Sequence, residues 1–227
     1  ARDLGISLKS YLRSPDLVAR GILESRKKYG TDAYIAFHYG AVDYEAFGGD
    51  VIFRDDGPPN SGMPIITTGE QIDALTAPDV SETPCLQMVL EMIRILVERS
   101  PGDALIFGVA ISPLSLPVMQ MGFENYIRLM YTDEERFRKL IAVNSQFFVE
   151  WASAQVKAGV DGIIYFDPVS SPTIIPPEFY RKTGLLIARD VLPKVNAPIA
   201  AMFASARIGP ILDDITSTGV VAVGVGE

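Results

Sequence analysis

Apolar, strand-like runs alternate with amphipathic stretches along nearly the whole chain, and this alternation constrains the fold more than any other feature. Ala33 to Phe37, Ala104 to Ile111, Gly162 to Phe166, Pro198 to Ala204 and Val220 to Val225 read as strands, with Val51 to Phe53 as a shorter extended piece. Between them, Ser14-Pro15-Asp16 caps a run through Leu17, Ile22, Leu23 and Tyr29. Leu86, Val89, Leu90, Ile93, Leu96 and Val97 keep a period near 3.6 until Ser100-Pro101-Gly102 ends it. Thr132-x-x-Glu135 reads as a capping box ahead of a helix carrying Phe137, Leu140, Ile141, Phe147, Phe148 and Trp151. Helices over Glu178 to Val195 and Pro210 to Ser217 complete the series. Such a βαβα order implies a parallel sheet with right-handed crossovers, either doubly wound or closed as a barrel. No G-x-G-x-x-G or G-x-x-x-x-G-K-[ST] motif is present, which favours the barrel over a nucleotide-binding sheet.

A chain of 227 residues with 48% hydrophobic content can bury one large core, so a single domain over 1–227 is expected. A formal net charge of −8 and the lack of any Lys/Arg cluster argue against a nucleic-acid partner. The single cysteine, Cys85, forms no internal disulfide, and no apolar run approaches the ~20 residues of a membrane helix. The first residues lack the charged-then-apolar order of a signal peptide, which makes the cytoplasm the expected location. The polar stretch 54–62, with Asp55-Asp56 and Pro58-Pro59, reads as a lid or edge loop.

In parallel sheets ligands meet the carboxyl ends of the strands, so the residues leaving each strand are the candidates for chemistry. Asp167, where Gly162-Ile163-Ile164-Tyr165-Phe166 stops at Asp167-Pro168-Val169-Ser170-Ser171-Pro172, is either a site carboxylate or a helix N-cap. His38, the only histidine, is a general base, a ligand-orienting group or a hydrogen-bonded rim residue, and Asp43 is a partner for it. Ser170 and Ser171 cap a turn or touch a ligand. Arg207 clamps a carboxylate or phosphate, or forms a surface ion pair. Among Met88, Met92, Met119, Met121, Met130 and Met202, only Met119 and Met202 fall near strand ends, the other four reading as core. Cys85 precedes a helix but has no paired base.

Ala46-Phe47-Gly48-Gly49-Asp50-Val51, Pro113-Leu114-Ser115-Leu116, Ala158-Gly159-Val160-Asp161 and Phe166-Asp167-Pro168-Val169-Ser170-Ser171-Pro172 together resemble the uroporphyrinogen decarboxylase superfamily. That superfamily holds tetrapyrrole decarboxylases and methyltransferases that move methyl groups to or from corrinoid cofactors. The resemblance implies a (β/α)₈ TIM-type barrel with its site at the strand C-termini. It further implies that this chain holds about strands two to six and lacks the first strand and the last two.

Residue by residue, the resemblance puts Tyr39 where the decarboxylases carry the aspartate that holds the pyrrole NH groups. Met119 stands at their active-site tyrosine and Pro168 at their serine after the fourth strand. The methyltransferases carry His-x-Cys-Gly at the end of the fifth strand, with a second cysteine near the last strand, for zinc. Phe203-Ala204-Ser205-Ala206 falls on those four positions, so zinc is not expected. The Asp-Pro-x-x-Ser-Pro run and the Pro58-Pro59 loop are closer to the methyltransferase branch. The resemblance therefore implies methyl transfer between a small donor or acceptor and a corrinoid (cobalamin) on a partner protein. The catalytic candidates are His38, Tyr39 and Asp167, and the substrate-binding candidates are Asp43, Met119, Ser170, Phe203, Ser205 and Arg207. A tetrapyrrole carboxy-lyase, and a non-catalytic binding subunit of the same fold, remain the alternatives. A homodimer is compatible with the resemblance. His38, Asp167 and Ser205 are expected around one common cavity.

Overall fold

The computed structural model describes residues 5–54, 56–100 and 102–225. Asp55 and Pro101 lie outside the described residues. Ahead of the first strand stand two helices whose ends are written in the sequence. After α1 (Leu8–Leu12), Ser14 caps α2 (Pro15–Tyr29) by accepting from the Leu17 amide at 3.4 Å, with Pro15 in the first turn and Gly30 closing the helix at φ +66°. Strand β1 (Ala33–Ala36) follows, then α3 (Val42–Ala46).

The extended piece expected at Val51 to Phe53 is β2 (Val51–Arg54), and the stretch after it, expected to be a loop, supplies β3 (Gly57–Ser61), which pairs antiparallel with β2 as a β-hairpin. Pro58 and Pro59 are tolerated because the two-stranded ribbon has free edges on which no amide is required. The chain continues through α4 (Gly69–Asp73), α5 (Pro84–Arg99), β4 (Leu105–Ile111), α6 (Pro117–Met121) and α7 (Phe123–Thr132). It then enters α8 (Glu134–Ala158). The cap of α8 is Asp133, which accepts from the Arg136 amide at 3.0 Å. Thr132, expected as the cap, instead ends α7 by donating its hydroxyl to the Arg128 carbonyl at 2.9 Å.

After β5 (Gly162–Phe166), the helix expected over Glu178 to Val195 is divided into α9 (Pro177–Lys182), α10 (Gly184–Val191) and a 3-10 turn over Leu192–Lys194. The break at Thr183 lets Gly184 pack directly on Ser170; a Cβ on Gly184 would sit 2.4 Å from the Ser170 hydroxyl. Strand β6 (Ile199–Met202), α11 (Leu212–Thr216) and β7 (Ala222–Gly224) end the series.

The five strands β1, β4, β5, β6 and β7 form one parallel sheet in that order. A doubly wound sheet reverses its strand order partway, whereas here each βα unit adds its strand on the same side, as in an arc of a (β/α)₈ barrel. Burial alternates accordingly. Tyr34, Ala36, Ile106, Ala110, Ile163, Tyr165, Ile199 and Ala201 are buried against the helices, while Ile35, Phe37, Phe107, Val109, Ile164, Phe166 and Met202 are half-buried or exposed. Register aligns the second set into one face: Ile35 beside Phe107, Val109 beside Ile164, Phe166 beside Met202. That inner face is where a closed barrel stacks its interior side chains.

The core lies between the sheet and α2, α5 and α8. Trp151, Phe147 and Phe148 of α8 are fully buried, with Phe148 edge-on to Tyr165 at 5.2 Å. Each such aromatic is worth ~3–5 kcal/mol against truncation to alanine. A second apolar cluster, around Leu114, Tyr126, Phe137, Ile175 and Tyr180, supports the loops leaving β4, β5 and β6.

Candidate functional site at the strand C-termini

The strands β1 and β4 pair only as far as Ala36 and Gly108, after which they part. Backbone groups of β4 released there must find partners behind the sheet. Gln155 of α8 takes two of them, donating Nε2 to the Val109 carbonyl at 2.9 Å and accepting the Val109 amide on Oε1 at 3.1 Å. Its amide thereby replaces a strand residue. Asp43 takes the next group, accepting the Ile111 amide at 2.8 Å on one oxygen and the Trp151 indole N–H at 3.1 Å on the other. Burial pushes the Asp43 carboxyl up to about 7, against the downward pull of those two bonds.

His38 lies two residues past β1, buried with the helix-facing residues of that strand, and its Nε2 bonds the Leu12 carbonyl. Burial, aided by the nearby Arg13 charge, lowers it to about 4, so the ring is neutral at pH 7. Nδ1 has no partner among the described residues. No hydrogen bond joins His38 to Asp43 among the described residues: His38 Nε2 goes to the Leu12 carbonyl, and the Asp43 oxygens go to the Ile111 amide and the Trp151 indole. Tyr39 donates its hydroxyl to Glu45 Oε2 at 2.5 Å and accepts from Arg13 at 3.2 Å, while Arg13 and Glu45 also pair directly at 2.6 Å. Burial first, and the Glu45 bond second, hold the phenol above its ordinary range. Arg13 also lies 5.1 Å from the centroid of Phe53, which fixes the β2–β3 hairpin to α1.

On the neighbouring strands, Asp167 is fully buried. One of its oxygens accepts the hydroxyls of Ser112 at 2.6 Å and Ser115 at 2.8 Å. Ser115 in turn accepts the Val169 amide at 3.1 Å, and the Asp167 amide donates to the Met202 carbonyl at 2.8 Å. Asp167 thus ties the β4, β5 and β6 ends into one unit, its carboxyl to the serines after β4 and its amide to the end of β6. Desolvation raises its pKa, and the serine hydroxyls oppose that rise. Asp167 precedes the 3-10 turn Pro168–Ser170 but makes no side-chain cap there. Ser170 and Ser171 are buried beside it, and Tyr126 and Tyr165 are raised by burial, then by the Asp167 charge.

After β6, Phe203 is buried, while Ser205 and Arg207 are exposed. Between them Ala204 adopts φ +55°, a left-handed conformation that alanine rarely takes. Arg207 makes no ion pair among the described residues, and Met119 is half-buried against the main core. Cys85 is buried, its thiol pushed up to about 12 by burial, which makes it a packed thiol.

The nominated residues therefore fall into two layers. Ser205 and Arg207 are exposed at the rim, with Phe37 (47% exposed) and Met202 (42% exposed) at the adjoining end of the inner face. His38, Tyr39, Asp43, Asp167, Ser170 and Phe203 lie buried, and among the described residues no hydrogen bond links His38, Asp167 and Ser205. Arg13, Glu45, Ser112, Ser115, Trp151 and Gln155 complete the arrangement but were not singled out from sequence. Only Ser112-x-x-Ser115 left a local trace, as a Ser-Pro-Leu-Ser turn whose 115 amide bonds the Ser112 hydroxyl. No helix among the described residues is long and apolar enough to cross a membrane.

The family model "Uroporphyrinogen decarboxylase (URO-D)" matches residues 1–227. A uroporphyrinogen decarboxylase from Chlorobium phaeovibrioides (strain DSM 265 / 1930) is 30% identical over 224 residues, covering 94% of this chain and 62% of that protein. The methylcobamide:CoM methyltransferase MtaA of Methanosarcina barkeri is 23% identical over 229 residues, covering 99% of this chain and 66% of its own length. A solved methyltransferase from Methanosarcina mazei superposes with a TM-score of 0.86 at 21% identity, over 93% of this chain and 62% of that one. The chain thus spans less than two thirds of the length of these relatives, and the superposition makes its sheet part of a TIM-type barrel. By the match along all of its residues, this chain belongs to the uroporphyrinogen decarboxylase family.

Proposed function

We propose that this chain forms part of a methyltransferase that moves a methyl group between a small substrate and a corrinoid carried by a partner protein. One observation carries the reading. Tyr39 stands where the resemblance puts the decarboxylases' pyrrole-holding aspartate, and its neutral phenol is buried and clamped by Arg13 and Glu45. A group in that state supplies no anion for a ring of pyrrole N–H donors. The apolar ends of the inner face, Phe37 and Met202, fit the approach of a corrin face carrying a methyl group, since apolar walls keep water from the transfer.

In this reading Arg207 and Ser205 bind the small substrate, with Met119 and Phe203 packing behind them. Tyr39, held with Arg13 and Glu45, shapes the β1 end. Asp167, with Ser170 packed beside it, holds the three loop ends in register, and Asp43 braces β4. Neutral His38 is available as a proton acceptor rather than a donor. Zinc does not fit the matched positions, because the Phe203 ring and the Ser205 hydroxyl are not its donors. In this reading the oxygen or nitrogen that gives up the methyl, as in an ether or amine, takes its proton from solvent at the exposed rim beside Ser205 and Arg207.

The complete protein, mixed with cob(I)alamin and a panel of methoxy and methylamine donors, is expected to give methylcobalamin absorbance with at least one donor, and to lose it in Arg207→Ala. Absence of methylcobalamin with every donor, together with loss of carboxyl groups from uroporphyrinogen, would establish the carboxy-lyase reading instead. The 30% identity to a decarboxylase keeps that second reading specific. Binding of the corrinoid without turnover of either substrate would identify a non-catalytic binding subunit.

A further inference from the structure

Where β1 and β4 separate, a narrow slot of about 20 Å³ runs between them. Its walls come from both sides of the sheet. Phe37, Val109 and Ile111 belong to the inner face, while His38, Asp43 and Trp151 lie on the helix side. One water needs ~10–15 Å³ of such space and two or more polar partners. The slot meets the first condition.

The second follows from the chemistry of His38. Nε2 faces the Leu12 carbonyl, which can only accept, so the ring proton of the neutral imidazole sits on Nε2. Nδ1 is then a bare lone pair on a ring only 6% exposed, and no group among the described residues donates to it. A buried acceptor left in that state costs ~1–3 kcal/mol. No neighbouring side chain remedies this, since the indole N–H of Trp151 and the Ile111 amide are both spent on Asp43. A molecule that fits the slot, donates to Nδ1 and donates again elsewhere satisfies every group. The side-chain carbonyl oxygen of Asp43, which keeps a second lone pair whether or not the carboxyl holds its proton, offers an acceptor on the same wall.

We infer that the slot between β1 and β4 is a binding site for a single ordered water molecule, which donates a hydrogen bond to His38 Nδ1 and separates that ring from the barrel interior. The site stands on the packing around His38 and holds whether or not the methyl-transfer reading does. If that reading also holds, His38 reaches a ligand on the inner face only through this water.

His38 is the one histidine of this chain, so isotopic labelling of histidine, with the signal assigned through the Phe37-His38-Tyr39 backbone, picks out this ring. The protein labelled with ¹⁵N- and ¹³C-histidine is expected to show the Nε2-protonated tautomer at pH 7. Its Nδ1 resonance should be shifted as for a lone pair that accepts a hydrogen bond, and the ring should give a cross-relaxation contact to a long-lived water. Val109→Ile, which adds a methyl group to the slot wall, should abolish the water contact and move Nδ1 toward the free-acceptor position without changing the tautomer. A proton on Nδ1, or an Nε2-protonated ring with a free Nδ1 and no water contact, overturns the inference on the unaltered protein, so the test does not depend on the variant folding.

Discussion

Asp43 should impose a pH dependence on stability opposite to that of an ordinary carboxylate, and the substitution Asp43→Asn isolates it. In the folded chain its carboxyl titrates at about 7, against 3.8 for an unperturbed aspartate, because the site is fully buried. Below pH 3.8 both states are protonated and the group costs nothing. Between the two values the unfolded chain has released its proton while the folded chain still holds it, so stability falls as pH rises, and above about 7 the whole penalty is present. A difference of roughly three units corresponds to about 4 kcal/mol. His38 acts in the reverse sense: lowered from 6.5 to about 4, it loses stability as pH falls through that window. The two contributions oppose one another between pH 4 and 6.5, so the unaltered protein should show a muted profile.

Asparagine keeps the shape of the side chain but turns one acceptor into a donor facing an N–H, a cost that does not change with pH. Urea unfolding of both proteins at a series of pH values from about 4 to 8 should therefore give a stability difference that shifts by about 4 kcal/mol in favour of the Asp43→Asn variant across the range, most steeply up to about 7, with His38 and Asp167 cancelling in the subtraction. A difference that stays constant with pH would show that Asp43 titrates normally and that its burial between Ile111 and Trp151 is misjudged.

Two further substitutions test the local geometry. Ala204→Gly should raise stability by ~1 kcal/mol by removing the left-handed strain at φ +55°, and a lower urea midpoint would refute the strain. Gly184→Ala should lower stability by ~1–3 kcal/mol, since the new methyl would meet the Ser170 hydroxyl at 2.4 Å and the Tyr180 ring at 2.8 Å; an unchanged thermal midpoint would mean that the α9–α10 break is not set by this contact.

The sheet was legible because each parallel strand announced itself as an apolar run. Gly162 to Phe166 matches the sequence expectation residue for residue, and the strand expected over Ala104 to Ile111 begins one residue late, at Leu105. Of the hairpin, Val51 to Phe53 was legible as an extended piece, but its partner Gly57–Ser61 was not, since two prolines beside aspartates carry the composition of a loop and only pairing across the turn makes a strand of it. The interrupted helix at Thr183 escaped for a similar reason: the apolar period runs through the break, and what interrupts it is the close approach of Gly184 to Ser170.

At the candidate site, sequence alone determined which residues leave the strand ends, because a run of apolar residues that stops at a polar one fixes that position whatever surrounds it. Whether such a residue faces the inner surface or the helices depends on strand parity and on what packs behind it. Asp167 and His38 share parity with the buried residues of their strands and turn away from the inner face, while Ser205 and Arg207 remain exposed. The partners that bear on each group's protonation, Trp151 on α8 for Asp43 and Arg13 just beyond α1 for Tyr39 and His38, lie tens of residues away. Only the folded arrangement brings them within hydrogen-bonding distance, and charge, burial and proton affinity are consequences of that proximity.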